Sequence, residues 1–221
     1  MRTRKDEGMD NFYFTDDDWK LLDKNRIEIT YSKGETIIKQ GTFATHVLFI
    51  KSGLAKVMVE AENRRRLAVE VVASESFIGL PFLHTDHFLF TVEAIKETTL
   101  YQFRREAFSQ VVHNNPEARN RLMNRYCHDY IQLLHKLEIN STRNNHGKLA
   151  HILYSLCSDC YQKEDIFTYL TRKDLAELAS ISKESTNKIL KELQHDCIIR
   201  INQEGIEVVK PELLKRLSTI G

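Results

Sequence analysis

Apolar residues change their spacing twice along this chain. From Arg26 to Phe103 they gather in short β-prone runs separated by turns: IEITY, ETIIKQ, HVLFI, AKVMV, RLAVEVV, FLFTVEAI and TLYQF. So many strands at close spacing predict a barrel or jelly roll, and Gly34, Gly41, Gly53 and Gly79 each fall between two runs, where a turn needs a positive backbone torsion or a missing Cβ. A polar-aromatic lead-in, Asn11 to Asn25, reads as a helix with Phe12, Phe14, Trp19, Leu21 and Leu22 available for packing. Helical spacing returns at Arg104, with a short helix to about His113 and a long one opened by Pro116 as a first-turn proline. On the long helix Met123, Cys127, Tyr130, Leu134 and Leu137 step by four, three, four and three, which is a heptad seam flanked by Leu122, Tyr126 and Leu133. Such a wide apolar arc can pack within its own chain or against the same helix of a second copy. Ser141 to Asn145, STRNN, breaks the period and predicts a hinge, and a further helix runs from His146 to about Asp159.

The second change comes at TRKDLAELASISKESTNKILKEL, Thr171 to Leu193. Thr171 and Asp174 have capping-box spacing, Leu175 and Leu178 form a stripe that fades at Ser180, and Ile181 is apolar in an otherwise polar turn. Ser182 predicts a second N-cap, before a helix whose Ile189, Leu190 and Leu193 face inward. Its outward face carries Lys183, Glu184, Ser185, Asn187, Lys188 and Lys191, all able to hydrogen-bond base edges or phosphates. Two β-prone runs, Cys197 to Ile201 and Ile206 to Val209, predict a hairpin around Asn202 to Gly205. Helix-turn-helix plus hairpin is a winged helix, although two amphipathic helices on a short turn also occur in domains that never touch nucleic acid.

Composition narrows the classes. The 221 residues are 42% hydrophobic, with a net charge of +1, so no global basic field points to nucleic acid. From Arg143 to Gly221 there are 12 Lys and Arg against 11 Asp and Glu, so any DNA contact must come from local placement. No apolar run approaches the roughly 20 residues of a membrane-spanning helix, and MRTRKDEGMD lacks the apolar core of a secretory signal, so a cytoplasmic protein is expected. Four cysteines, Cys127, Cys157, Cys160 and Cys197, fit a reducing compartment. Cys157 and Cys160 form a CxxC whose reading as structural stands beside a redox or metal role, and no second CxxC completes a tetrahedral site. No nucleophile, base and oxyanion constellation emerges, so no catalysis is expected.

Taken together, β-roll, long helix, hinge and winged helix resemble the Crp/Fnr superfamily of bacterial transcription regulators over nearly the whole chain. YSKGETIIKQG and HVLFIKSGLAKV look like the opening of the cyclic-nucleotide-binding-type roll, SFIGLPFL like its ligand cassette, and NNHGKLAHIL like the helix after the hinge. TRKDLAELASISKESTNKILKEL is similar to the family helix-turn-helix, in which a Ser-Arg-Glu-Thr stretch begins the recognition helix. Lys183 stands where Arg is usual, Glu184 matches, and Lys188 replaces a second Arg. The resemblance implies an α+β fold: an N-terminal β-roll (a double-stranded jelly roll) over residues 1–115, a dimerisation helix over 116–141 and a winged helix-turn-helix over 142–221. It further implies a homodimer, through Met123, Cys127, Tyr130, Leu134 and Leu137, on a pseudo-palindromic double-stranded DNA site, with RNA polymerase as a further partner. Thr171, Arg172, Lys183, Glu184, Ser185, Asn187, Lys188 and Lys191 are the expected DNA contacts.

The departures concern the effector. Members that bind cyclic AMP carry Gly-Glu in the cassette and an Arg about ten residues later to hold the cyclic phosphate. Here Leu80 follows Gly79, the Arg counterpart falls near Phe88 to Phe90, and no arginine occurs from Leu67 to Phe103. A buried phosphate without a cationic partner is costly, and Leu133 and Leu134 replace polar base-recognising residues, so cyclic AMP is not expected. The first cysteine is Cys127, so the amino-terminal cluster of the iron-sulfur members is missing. Phe77, Gly79, Leu80, Phe82, Phe88, Leu89, Phe90, Leu133 and Leu134 would surround an apolar pocket, with His84 and His87 in the same loop. Either an apolar effector or haem sits there, or the side chains fill the roll themselves and the expected cofactor is none. The contrary functional class is a small-molecule or haem sensor whose winged helix serves a protein partner.

Overall fold

A computed structural model describes residues 14–61, 66–80, 83, 85–158, 161 and 163–220. The chain divides into two compact units, Met1–Val57 with Val71–Gln132, and Met58–Glu70 with Leu133–Gly221. The expected lead-in begins as α1 (Asp16–Lys24), whose Thr15 and Asp18 form a reciprocal capping box; Phe12 lies outside the described residues. Among the described residues eight strands follow in an antiparallel β-sandwich: β1 (Arg26–Tyr31), β2 (Thr36–Ile38), β3 (His46–Ser52), β4 (Leu54–Glu60), β5 (Arg66–Ala73), β6 (Ser76–Ile78), β7 (Thr91–Ala94) and β8 (Thr98–Arg104). One sheet has the order β1-β8-β3-β6 and the other β2-β7-β4-β5.

β3 is buried on both faces, which is why HVLFI reads as an unbroken apolar run. Its Val47 and Phe49 face a cluster that includes Leu22 of α1 together with Phe103, Phe108 and Val111, while Leu48 and Ile50 take the opposite face. β6 is a strand that the sequence pattern did not predict. It pairs with β3 so that Phe77 lies opposite Phe49, ring centroids 4.8 Å apart. Gly53, at φ +105°, makes the β3–β4 turn; a Cβ there would overlap the Glu97 carbonyl and Thr98, so only glycine fits.

Two helices follow, α2 (Arg105–Asn114) and α3 (Pro116–Thr142). Asn115 caps α3, its side-chain oxygen accepting the N–H groups of Glu117 and Ala118, with Pro116 at the first helical position. α3 runs to Thr142, so Ser141 and Thr142 of the expected hinge are helical and only Arg143 and Asn144 lie between helices. Polar residues at a helix end do not stop it while each backbone carbonyl still finds a partner, and the Thr142 hydroxyl donates to the Glu138 carbonyl here.

In the second unit Asn144 caps α4 (Asn145–Ser155), accepting from the N–H groups of His146 and Gly147. A short α5 (Ile166–Tyr169) leads to α6 (Arg172–Ala179) and α7 (Lys183–His195), then to the hairpin of β9 (Ile199–Asn202) and β10 (Gly205–Val208), and last to α8 (Pro211–Ile220). α4 packs on α6, α7 and α8 around Leu149, Leu153, Leu175, Leu190 and Leu214, each fully buried. The long-range constraint on the hairpin is Gly205, at φ +132°, where any Cβ would run into the Phe167 carbonyl.

Candidate nucleic-acid interface

The helix-turn-helix is built by local chemistry. Thr171 and Asp174 form the capping box of α6 with both reciprocal bonds present, and the Thr171 hydroxyl also donates to Asp174 Oδ2 at 2.6 Å. That hydroxyl is therefore engaged in holding the helix start. Ser180 then turns the chain in the left-handed region, φ 55° and ψ 38°, and the Ile181 N–H returns to the Ala176 carbonyl. Ser182 caps α7 by accepting from the Ser185 N–H.

α7 separates its two jobs by face. Ile189, Leu190 and Leu193 are buried with Thr186, whose hydroxyl is spent on the Ser182 carbonyl. Lys183, Glu184, Lys188 and Lys191 are exposed, while Ser185 and Asn187 are half-buried. Asn187 is tied to α6, accepting from Arg172 Nη1 at 3.4 Å, so two of the expected contact residues orient each other. The Ser185 hydroxyl accepts from Ser182 Oγ at 3.1 Å and from Asn145 Nδ2 at 3.5 Å. The start of α4 also touches α7 near its far end, where His146 Nε2 lies 2.6 Å from Glu192 Oε2. That hydrogen bond, more than the charges of His146 and Lys188, holds the Glu192 carboxyl below its usual range. Asn145 and His146 were not singled out in the sequence, because they precede their partners by 40 and 46 residues and nothing local marks the pairing.

Along α3, Met123, Tyr130, Leu134 and Leu137 are 58, 62, 44 and 55% exposed, and Cys127 is exposed too. Leu122 and Tyr126 instead turn inward to the cluster around Phe103, and the Tyr126 hydroxyl donates to the Leu80 carbonyl. Burial, with Asp129 nearby, pushes that hydroxyl up to about 12.

The residues expected to line an effector pocket take different surroundings. Phe77 and Leu80 do not line a roll interior; both pack in the cluster with α1 and α2, because pairing with β3 puts Phe77 on the same sheet face as Phe49. Phe88 is buried, its ring 5.9 Å from Phe90 and in contact range of the Cβ position of Gly79. Leu89 is exposed, as are Leu133 and Leu134, and His87 stacks on the exposed Phe43 at 4.7 Å. Phe82 and His84 lie outside the described residues, as does Cys160; Cys157 donates to the Leu153 carbonyl, and burial raises its thiol. Among the described residues no group of three His, Cys, Asp or Glu could hold a metal ion, and no helix is long and apolar enough to cross a membrane.

The chain thus has a β-sandwich, a long helix and a winged helix-turn-helix in that order. Residues 28–115 match the cyclic nucleotide-binding domain family and residues 147–217 the Crp-like helix-turn-helix domain family. The chain belongs to the Crp/Fnr superfamily and is a DNA-binding transcription regulator of that type. It is 25% identical to the global nitrogen regulator of Nostoc sp., over 86% of this chain and 88% of that protein. It is 26% identical to the lactate racemization regulatory protein of Lactiplantibacillus plantarum, over 81% of this chain and 86% of that one. In fold it is similar to FixK2 from Bradyrhizobium japonicum, with a TM-score of 0.77 at 15% identity, over 89% of this chain and 98% of the other.

Proposed function

We propose that the protein works as a homodimer on a pseudo-palindromic DNA site and that its effector domain does not take cyclic AMP. The observation that carries the dimer is the seam of α3: among the described residues Met123, Cys127, Tyr130, Leu134 and Leu137 leave a heptad-spaced apolar stripe largely exposed. Two such helices in parallel would set two copies of α7 about one DNA turn apart. Lys183, Glu184 and Lys188 then read base edges, while Ser185, Asn187 and Lys191 read or hold the backbone.

The effector reading rests on charge. With Leu80 after Gly79 and no arginine from Leu67 to Phe103, a cyclic phosphate would lack its cationic partner. A ligand shifts a conformational equilibrium only through unequal affinity for the two states, and the contacts that would supply it are missing for a cyclic nucleotide. The protein therefore binds DNA without an effector, or answers to an apolar one. Sedimentation of the purified protein and selection of duplexes from a random pool test the dimer and the symmetry of the site. Calorimetric titration of cyclic AMP and cyclic GMP tests the effector: saturable heat at micromolar ligand, with tighter DNA binding, refutes it.

A further inference from the structure

Glu192 on α7 lies between His146 and Lys188. Its Oε2 is 2.6 Å from His146 Nε2 of α4, and its Oε1 is 4.0 Å from Lys188 Nζ, one helical turn back on the same face. The side chains of His146 and Glu192 are about half exposed, at 51 and 43%, and that of Lys188 is 76% exposed. Asn145, the residue before His146, reaches Ser185 seven positions earlier on α7, so the start of α4 follows one face of the recognition helix. Among the described residues no ion pair reaches His146 from α6 or α8, the other helices packed on α4; the charged groups it meets are Glu192 and, beyond it, Lys188.

We infer that His146 is a positioning residue for DNA reading: by occupying Glu192 it leaves the Lys188 ammonium to DNA, and it does so most fully when its imidazole carries a proton. An imidazolium neutralises Glu192. A neutral imidazole only donates a hydrogen bond, so the carboxylate keeps its full charge, draws Lys188 back along α7 and repels the phosphates beside it. DNA affinity should therefore rise with protonation of the imidazole, as pH falls. Because all three side chains are substantially exposed, the gain is that of a solvated ion pair, about two- to fivefold in affinity. The inference rests on the DNA-binding reading of α7.

The test uses the full-length protein and a duplex selected by it from a random pool, with affinity read by fluorescence anisotropy at pH 6, 7 and 8 and fixed salt. Wild type should bind about two- to fivefold more tightly at pH 6 than at pH 8 after dividing by the same ratio for His146→Gln. That ratio cancels the other histidines, including His195 at the end of α7. Glu192→Gln should bind at least as tightly as wild type and lack the His146-dependent part of the profile. On a Lys188→Ala background, His146→Gln should lose most of its effect, the coupling that a purely structural role would not produce. Thermal melts establish that each variant is folded. A pH profile shared by wild type and His146→Gln, or additive effects of His146→Gln and Lys188→Ala, overturns the inference while DNA binding stands. If wild type selects no duplex at any pH, the DNA-binding reading falls, and this inference with it.

Discussion

In the proposed dimer, introducing charge at the middle of the α3 seam should separate the protomers without unfolding them. Leu134 is 44% exposed in the single chain, so a partner helix could cover a little under half of it. Complete burial of a leucine is worth about 1.5 to 3 kcal/mol, so the uncovered part contributes about 1 kcal/mol per protomer and about 2 kcal/mol per dimer. Leu134→Glu forfeits this and sets two partly desolvated carboxylates in one interface, which adds at least about 1 to 2 kcal/mol. A total of about 3 to 4 kcal/mol weakens the dimer roughly 150- to 900-fold. A nanomolar dimer would then be largely monomeric at submicromolar concentration. Exposed positions tolerate substitution to within about 0.5 kcal/mol, so the thermal melt of the separated chain should stay close to that expected for a folded monomer. Sedimentation velocity should show the 25.9 kDa species. Binding to a symmetric duplex should fall with it, because one α7 then has to hold the site alone. A Leu134→Glu protein that sediments as a dimer with unchanged affinity would refute the reasoning and locate the interface elsewhere.

Three further outcomes follow from the second unit. Glu184→Ala should cost about 1 to 3 kcal/mol and relax preference at one symmetric base-pair position, whereas Lys191→Ala should weaken all sequences alike and lower the salt slope by about one; an unchanged preferred sequence in Glu184→Ala would displace the register of α7. Gly205→Ala combines a left-handed backbone with overlap at the Phe167 carbonyl and should lose about 2 to 4 kcal/mol in chemical denaturation, and a neutral result would mean that α5 and the hairpin can part freely. Lys136 is held among the carbonyls of Ala68 and Val69, at 2.7 and 2.6 Å, and burial, partly offset by Glu70, brings its ammonium down to about 8. A neutral amine keeps enough hydrogens for both carbonyls, and between about pH 8 and 10 the unfolded chain binds more protons than the folded one. Wild type should therefore gain stability over Lys136→Met across that interval, and a flat difference would show that the ammonium is solvated.

What was legible in the sequence was what depends on near neighbours. The capping box of Thr171 and Asp174, the cap at Ser182 and the buried stripe of Ile189, Leu190 and Leu193 are all set within four or five residues, and each is present in the structure. Most strands of the sandwich declared themselves by alternation or by an apolar run. β6 did not, since three residues between turns carry no period, and the facing of Phe77 was lost with it. That facing is fixed by pairing with β3, across 28 residues of chain. α8 carries a local signal in Pro211 followed by Leu213, Leu214 and Leu217, with Leu214 fully buried. The contacts of Asn145 and His146 with α7 had no signal at all, because only the folded helix-turn-helix brings them together.

The division of α7 into a buried face and an exposed one bears on how such a regulator can change its targets. Thr186, Ile189, Leu190 and Leu193 hold the helix in place, while Lys183, Glu184, Lys188 and Lys191 contribute little to that hold. On the proposed reading of α7, substitutions at the outer positions would redirect the protein to a new promoter without a compensating change inside the fold. On that reading binding preference would drift in small steps, each leaving a folded chain, and a designer could exchange Lys183, Glu184 and Lys188 as a cassette.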